Sequence, residues 1–316
     1  MRRTITLLSL LTFAAPVAGV AQQAAGSQAA VLVTGASSGI GRKIAEALAA
    51  RGTFVYAGAR KAEDIAELSK IKNMQGVRLD VTVPADVAAA VETVRKGGRG
   101  LYGVVNNAGI AIVGPLVEHD EKEMRSIFEV NTLGPWRITK AFSPMLIASK
   151  GRVVTISSIS GILSGPFLGA YSMSKHAIEA FSDALGAEMA GLGVRSSLIE
   201  PGNYRSDIGR NTMAQVDVAL ARAKGTPFEP AMRNMQVAMG RYDSYPEPDS
   251  VASAAVHALF DPNPRARYMV VPAAGQAAVT IRKAVEELVQ LNAGHQFTVE
   301  RDSLVKLLDA ALARVK

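Results

Sequence analysis

The stretch from Val31 to Leu48 constrains the fold of this chain more than any other. It opens with a short apolar run that is typical of a buried strand, and after a turn its apolar residues recur at helical spacing. The turn carries Gly35, Gly39 and Gly41, whose missing Cβ atoms permit a tight bend and a close approach of the backbone to a ligand. The helix that follows offers free N–H groups to a pyrophosphate. The three glycines alone also fit an ordinary turn between a strand and a helix.

Strands and helices alternate along the rest of the chain. We predict further strands at residues 53–58, 76–81, 101–106, 152–157, 194–200 and 266–271. The helices between them include residues 62–71, a helix that begins at Pro84, and long helices over about 120–146 and 170–190. Strands joined by crossover helices form a parallel sheet whose ligands bind at the carboxyl ends of the strands. The predicted fold is therefore α/β, a single doubly wound parallel sheet of Rossmann type with helices on both faces and a C-terminal helical extension.

The composition excludes several classes of protein. A chain of 316 residues with 48% hydrophobic and 20% charged residues can bury a large core. It has no cysteine, which excludes a disulfide framework, a thiol nucleophile and a thiolate metal site. The four histidines show no ligand spacing, so we predict no metal. The net charge of +7 is spread along the chain, so we predict no nucleic-acid partner.

Residues 1–28 differ in character from the rest. Two arginines precede an apolar stretch from Ile5 to Ala21, which ends in small residues suited to cleavage before Gln22. We predict a signal peptide and an exported, periplasmic protein. The alternative is a cytoplasmic enzyme with an uncleaved start, and membrane contact is expected only through this segment if it is uncleaved.

Six motifs follow one another in order. They are Thr34-Gly35-Ala36-Ser37-Ser38-Gly39-Ile40-Gly41, Asn106-Asn107-Ala108-Gly109, Asn131, Ser158, Tyr171 with Lys175 four residues later, and Pro201-Gly202. Their order and spacing make the chain resemble the short-chain dehydrogenase/reductase family over about residues 30–272. The pattern is similar to the NADP-preferring branch that acts on retinoids and steroids. The resemblance implies a dehydrogenase/reductase domain over residues 29–273. Residues 274–316, which the resemblance does not cover, are predicted to form an additional helical extension.

The candidate catalytic residues are Ser158, Tyr171 and Lys175. A helix places the tyrosine and the lysine on one face, where the ammonium can lower the phenol pKa from its usual value of about 10. The phenol could then exchange a proton with a substrate oxygen, which Ser158 can hold by a hydrogen bond. The resemblance adds two roles: Lys175 binds the nicotinamide ribose, and Asn131 holds a water that passes protons onward. In isolation, a tyrosine four residues before a lysine is usually only an exposed helix pair.

The end of the second predicted strand bears on the choice of cofactor. A site for NAD requires a carboxylate there, whereas this chain has Arg60 and Lys61. Arg60 can hold a 2′-phosphate through charge-assisted hydrogen bonds, so we predict NADP(H), although a solvated loop arginine is the alternative. The residues expected to bind the cofactor are Gly35, Ser37, Ser38, Gly39, Ile40, Gly41, Arg60, Asp80, Val81, Asn107, Ala108, Gly109, Tyr171, Lys175, Pro201, Gly202, Tyr204 and Ser206. Of these, Asp80, Val81 and the residues from Asn107 to Ser206 are assigned by the resemblance.

Residues 207–247 are rich in methionine and aromatic residues, which suggests an apolar lid, although such residues at helical spacing are more often plain core.

The predicted function is NADP(H)-dependent hydride transfer between the nicotinamide and a small apolar alcohol, ketone or aldehyde. The alternative is a catalytically idle protein that senses the nucleotide. The resemblance also implies a homodimer or homotetramer that pairs through the helices over 120–146 and 170–190. The physiological substrate, its stereochemistry and the favoured direction are not predicted.

Overall fold

A seven-stranded parallel sheet forms the centre of the molecule. The computed structural model describes residues 30–240 and 244–315. Within them the strand order is β3-β2-β1-β4-β5-β6-β7, and every neighbouring pair is parallel. The strands are β1 Ala30–Val33, β2 Phe54–Ala59, β3 Met74–Arg78, β4 Gly103–Asn106, β5 Arg152–Ile156, β6 Arg195–Pro201 and β7 Arg267–Val270. The predicted doubly wound sheet is confirmed.

Helices cover both faces of this sheet. They are α1 Gly39–Ala50, α2 Ala62–Leu68, α3 Pro84–Lys96, α4 Glu121–Phe128, α5 Gly134–Ser149, α6 Gly169–Ala190, α7 Asp207–Arg222, α8 Glu229–Met239, α9 Asp249–Phe260, α10 Ala274–Asn292 and α11 Arg301–Val315. Side chains of β1 alternate between the two layers: Val31 and Val33 pack with α1 and α9, and Leu32 packs with α3 and α5. This alternation explains why β1 is apolar at every position.

Two predicted elements differ from those observed. Strand three was expected at residues 76–81 but ends at Arg78, because Asp80 accepts hydrogen bonds from the backbone and hydroxyl of Thr82 and so forms a turn. The helix expected over 120–146 is interrupted by a single π-helical turn, Glu129–Leu133. Pro135 follows this turn at the start of α5 and has no N–H to donate to the preceding turn, which explains the interruption. The remaining strands lie within two residues of their predicted ends.

The chain changes direction in the sheet between β1 and β4. Strands β1, β2 and β3 run outward to one side, and β4 returns to the other side of β1. The carboxyl ends of β1 and β4 therefore border a crevice, which is where open α/β sheets bind ligands.

Helices α7 and α8 form a separate small cluster above this edge of the sheet. Their apolar side chains pack with Val113 of the segment after β4 and with Phe167 and Leu168, which precede α6. We call this pair of helices the lid. No helix within the described residues is both long enough and apolar enough to cross a bilayer.

Candidate active site

The turn between β1 and α1 leaves no space for additional side-chain atoms. Gly35 and Gly39 have φ angles of +64° and +53°, the left-handed region that favours glycine. A Cβ atom on Gly41 would lie 2.2 Å from the Gly35 carbonyl oxygen and 2.3 Å from Nδ2 of Asn107. The predicted roles of glycine in the bend and in close packing are both visible here.

The first turn of α1 is open to an anion. Ser38 is its N-cap residue, but the Ser38 side chain makes no capping hydrogen bond, and the first turn carries no acidic residue. Its N–H groups and the partial positive charge of the helix end therefore face the crevice without a side chain that satisfies them. Together with the tight glycine turn, this geometry fits the pyrophosphate of a dinucleotide, held by the backbone of residues 35–41.

Asn107 and Thr34 join the ends of β4 and β1. The Asn107 amide donates to the carbonyl oxygens of Thr34 and Gly35, both at 3.0 Å. In return, the Thr34 hydroxyl accepts from the N–H groups of Asn107 and Ala108, also at 3.0 Å. A Cβ on Gly35 would approach the Ala108 Cα to 2.9 Å. The second motif therefore fixes the wall of the crevice through hydrogen bonds and close contact.

Ser158, Tyr171 and Lys175 lie together at the carboxyl end of β5. Ser158 follows the strand, is 9% exposed and lies close enough to Tyr171 to lower the pKa of its phenol. Lys175 lies one helical turn beyond Tyr171 on α6, with Nζ 5.7 Å from the centre of the phenol ring. Its Nζ donates to the Ile156 carbonyl oxygen at 2.9 Å. The structure thus brings together the three residues that the spacing paired.

The pKa of the Tyr171 phenol is not lowered in this arrangement. Burial raises this pKa above its usual value, against the smaller opposing effect of Ser158. Burial also lowers the pKa of Lys175 to about 8, against the attraction of Glu179. The sequence prediction was wrong here because helical spacing says nothing about how deeply the pair is buried.

Asn131 is buried in the π-helical turn and reaches two separate segments. Its side chain exchanges a pair of hydrogen bonds with the backbone of Ile110, at 2.8 and 2.9 Å. Its Nδ2 also donates to the Ser174 hydroxyl at 2.9 Å, and that hydroxyl donates to the Tyr171 carbonyl oxygen at 2.7 Å. Asn131 therefore connects the segment after β4 to the helix that carries Tyr171.

Arg60 lies at the end of β2 beside Asp80. Its side chain is 70% exposed, and Nη1 is 4.0 Å from Oδ2 of Asp80. Arg42, on α1, is paired with Glu46 at 2.5 Å. The end of β2 therefore presents one exposed guanidinium, while the Arg42 guanidinium is paired within its own helix.

The residues after β6 divide into two groups. Pro201 is the last residue of β6 and Gly202 follows it, and Ser206 is the N-cap of α7, where its hydroxyl accepts from the Gly209 N–H at 3.3 Å. The Tyr204 side chain is instead buried in the core, with its hydroxyl 2.7 Å from that of Ser250. Only the backbone of Tyr204 is thus available near the predicted cofactor site.

Sequence reasoning missed a partly buried charge network behind the candidate catalytic residues. Glu179 lies one turn beyond Lys175 and accepts a hydrogen bond from the Ser157 hydroxyl at 2.5 Å. Arg267 of β7 donates to Glu179, to Glu200 at 3.1 Å and to Asp183 at 2.5 Å. Burial and the nearby Glu179 raise the pKa of Glu200. The spacing of Tyr171, Lys175 and Glu179 by four residues was the available signal for this network.

Comparison with known proteins gives one consistent result. The family model described as short chain dehydrogenase matches residues 29–217. The chain is 34% identical over 268 residues to the mitochondrial D-beta-hydroxybutyrate dehydrogenase of Rattus norvegicus, with 78% of each chain covered. It is 35% identical to retinol dehydrogenase 5 of Mus musculus, covering 77% of this chain and 80% of the relative.

A third relative and one solved structure extend the comparison. The NADPH-dependent 3-dehydrocapnine reductase of Ornithobacterium rhinotracheale is 35% identical, with 76% of this chain and 87% of the relative covered. The crystal structure of a short-chain dehydrogenase from Streptomyces avermitilis has a TM-score of 0.69 and 28% identity, over 91% of this chain and 98% of that chain. The sheet topology and the ordered motifs thus agree with the same group of proteins.

Proposed function

We propose that this chain, which belongs to the short-chain dehydrogenase family, interconverts an apolar alcohol and its carbonyl compound with NADP(H), using Tyr171 as acid and base. The coarser activity follows from the family: the chain is an NAD(P)-dependent oxidoreductase that acts on CH–OH and C=O groups. The observation that carries the finer proposal is the position of Lys175 on α6, with its Nζ 5.7 Å from the centre of the Tyr171 ring, next to Ser158 at the end of β5.

The protein's own groups account for the proton transfer. Because burial raises the pKa of Tyr171, the phenol is protonated at neutral pH and can donate to a substrate carbonyl oxygen. Ser158 is placed to hold that oxygen by a second hydrogen bond. The Lys175 ammonium, close to the ring, stabilises the phenolate that the proton leaves behind. Bound nicotinamide supplies the hydride, and oxidation reverses the proton transfer.

The preference for NADP(H) rests on Arg60. The end of β2 carries this exposed arginine and no carboxylate that could accept bonds from the ribose hydroxyls. The guanidinium can bind a 2′-phosphate through paired, charge-assisted hydrogen bonds. The name of the NADPH-dependent reductase, at 35% identity, is in keeping with this choice.

The proposed substrate is apolar because of the lid. Its inner side chains Val216, Ala219 and Met232 are buried against Val113, and Phe167 packs on the same cluster. An apolar cover of this kind, if it closes on the substrate, favours an apolar compound and excludes water during the reaction. One relative acts on retinol by its name, and another on a small hydroxy acid, so both classes belong in a substrate screen.

The test is NADPH oxidation with a panel of apolar ketones, apolar aldehydes and oxo acids, for the wild type and Tyr171→Phe. We expect turnover of apolar carbonyls by the wild type and a loss of at least ~100-fold in kcat for the variant, with NADPH binding retained. Cofactor fluorescence measures that binding separately. Tight NADPH binding without turnover of any compound by the wild type would instead support the nucleotide sensor. Preferential turnover of oxo acids would overturn the apolar substrate.

Export and oligomeric state complete the proposal. The signal-like segment 1–28 lies outside the described residues, and fractionation with N-terminal sequencing tests it: an intact Met1 in the cytoplasm would contradict export.

Pairing through α4, α5 and α6 is proposed from the family. Partly exposed apolar side chains on these helices, Trp136 and Met173, each 45% exposed, are compatible with such pairing. The mass of the protein in solution tests it.

A further inference from the structure

The last two helices carry their apolar side chains on the outside. We call α10 and α11, with the turn between them, the C-terminal helix pair, residues 274–315. Eleven large apolar side chains of this pair are between 37% and 77% exposed: Ile281, Val285, Leu288, Val289, Leu291, Phe297, Val299, Val305, Leu307, Leu308 and Leu312. They make up about half of the exposed large apolar side chains among the described residues.

Helix α10 contacts the body of the protein through a mostly polar side. Its buried or partly buried residues are Gln276, Ala277, Val279, Thr280, Lys283, Glu287 and Asn292, most of which recur at helical spacing. Gln276 accepts a hydrogen bond from the Asn203 N–H at 2.9 Å, and Thr280 is fully buried. An amphipathic helix on a monomeric surface normally has the opposite orientation, with its apolar stripe inward. The apolar stripe of α10 is therefore free to contact a partner.

Helix α11 is exposed along its described length, with only Leu304 partly covered. It is held to α10 through the turn, where Asn292 and Val299 exchange hydrogen bonds of 2.8 and 2.9 Å. The spacing of its apolar residues is informative: Val305, Leu308 and Leu312 follow at intervals of three and four. Ile281, Val285 and Leu288 of α10 follow at intervals of four and three. Intervals of three and four residues are typical of the apolar residues along which two helices pack in a coiled coil.

The extent of this surface suits a protein interface. Eleven half-exposed side chains present roughly 1,000 Å² of apolar area, compared with ~300–600 Å² for the largest patch of a typical monomer. A standard interface buries ~800 Å² on each partner. The C-terminal helix pair is therefore large enough to form a stable interface by itself.

The charges indicate what kind of partner fits. Between residues 274 and 315 there are five basic and five acidic side chains, so this segment is neutral while the chain as a whole carries +7. On α10 the charges are paired within the helix, Arg282 with Glu286 at 3.8 Å and Lys283 with Glu287 at 2.5 Å. A helix that binds an acidic membrane surface is instead rich in unpaired lysine and arginine. A neutral apolar surface is complementary to a copy of itself.

We propose that the C-terminal helix pair binds the same pair of a second copy of this chain, forming a two-fold symmetric helical interface. This interface is distinct from the one proposed through α4, α5 and α6. The interface involves neither Tyr171 nor the crevice, so its test does not depend on whether the proposed reaction is correct.

Sedimentation velocity of the full chain tests the proposal. We expect Leu288→Glu/Leu308→Glu to halve the mass of the wild-type particle, since two charges would be buried in the apolar interface. The matched control is Val117→Glu/Val237→Glu, at positions that are 82% and 76% exposed outside the C-terminal helix pair. The control should keep the wild-type mass. Circular dichroism and NADPH binding establish that both variants are folded. An unchanged mass for the Leu288/Leu308 variant would overturn the proposal.

The absence of cysteine allows a second, direct measurement. Cysteines introduced singly by Val285→Cys, Leu288→Cys and Leu308→Cys would be the only thiols in the protein. We expect oxidation to give a covalent dimer for at least one of them, and none for Val117→Cys at the same concentration. Flotation with phosphatidylcholine vesicles tests whether this surface binds a lipid bilayer instead of a second copy of the chain. A wild-type mass that the Leu288/Leu308 variant leaves unchanged, no covalent dimer from any of the three cysteine variants, and flotation of the wild type with the vesicles would assign this surface to a lipid bilayer and overturn the proposal.

Discussion

At the scale of single residues, the state of Lys175 depends on groups behind the site. Lys175 is 5% exposed, and burial lowers its pKa to about 8, while Glu179 on the same helix face opposes that shift. The groups around Glu179 are Arg267 from β7, Glu200 from β6 and Asp183 from its own helix. The negative charge nearest to the lysine on α6 thus helps it to remain an ammonium at neutral pH.

We predict that Glu179→Gln moves the basic limb of the kcat/KM profile to lower pH. A lysine is charged below its pKa and neutral above it. Loss of the carboxylate lowers that pKa further, so the active ammonium form is lost earlier as pH rises, by ~1 pH unit. The pH profile of NADPH oxidation measures this.

Asp183→Asn is the matched control for this prediction. Asp183 also binds Arg267, but its side chain is 63% exposed and does not contribute to the lysine pKa. Its profile should follow the wild type. A basic limb that stays in place in Glu179→Gln, in a protein that unfolds at the wild-type temperature, would contradict the role given to Glu179.

At the scale of elements, the sequence was most informative where backbone geometry depends on residue type. The glycine turn, the capped start of α4 at Asp120 and the start of α3 at Pro84 follow from local rules. The π-helical turn around Asn131 follows from them only in part: Pro135 interrupts the helix, but the side chain of Asn131 is fixed by hydrogen bonds to Ile110 and Ser174, far away in the chain. The positions of the glycines in the turn between β1 and α1 can be tested directly.

We predict that Gly41→Ala destabilises the protein and weakens NADPH binding by more than ~10-fold. The added Cβ would lie 2.2 Å from the Gly35 carbonyl oxygen, so the turn must open. We expect a loss of ~1–3 kcal/mol in the free energy of unfolding, typical of an overpacked site. Urea unfolding and cofactor fluorescence measure the two effects. Gly191→Ala is the control, because no atom lies within 4 Å of its added Cβ and its φ is −64°. Equal behaviour of the two variants would contradict this account of the turn.

An ion pair between Arg222 and Glu123 contributes to holding the lid on the body. Arg222 of α7 donates two hydrogen bonds to Glu123 of α4, at 3.0 and 3.1 Å, and Glu123 also contacts His119 at 3.0 Å. The Arg222 guanidinium lowers the pKa of Glu123 to about 2. The contact is therefore fully formed above the usual carboxyl pKa of about 4.5, and it is lost as pH falls towards 2.

We predict that Arg222→Met loosens the lid. Amide hydrogen exchange in α7 should rise at pH 7, and KM for an apolar carbonyl should increase ~3-fold or more, with a smaller change in kcat. Arg233→Met is the control, because Arg233 pairs with Glu229 within α8 and does not connect the lid to the body. Exchange in α7 that is equal in both variants would contradict a tether at Arg222.

At the scale of the whole molecule, the described Rossmann core is one continuous sheet with a layer of helices on each side. Alternating apolar strands and crossover helices predicted this architecture, because burial on both faces leaves a strong sequence pattern. The outward orientation of α10 could not be predicted, since an amphipathic pattern does not reveal which side of a helix meets the protein. Cofactor binding stabilises the whole folded protein, so the preference between NADPH and NADH can be tested through the melting temperature.

We predict that NADPH raises the melting temperature more than NADH at equal concentration. A ligand that binds only the folded protein stabilises it by RT ln(1 + [L]/Kd), which is ~2.7 kcal/mol at 100 times Kd. For a domain of this size we expect a rise of ~5–10 °C with NADPH. Calorimetry measures this without any catalysis.

Arg60→Gln and its neighbour Lys61→Gln form the matched pair for this measurement. The advantage of NADPH should disappear in the first variant and persist in the second, because only Arg60 is proposed to bind the 2′-phosphate. Equal stabilisation of the wild type by the two cofactors would contradict the preference for NADP(H).

The contact between Gln276 and the loop after β6 has a practical consequence. A Cβ on Gly202 would lie 2.0 Å from the Gln276 side-chain oxygen, so the loop and the first turn of α10 are shaped to each other. Grafting this core onto another scaffold, or exchanging its tail for that of a relative, would therefore have to transfer both pieces together. Chimeras joined after the first turn of α10 should tolerate the exchange better than those joined between Gly202 and Gln276.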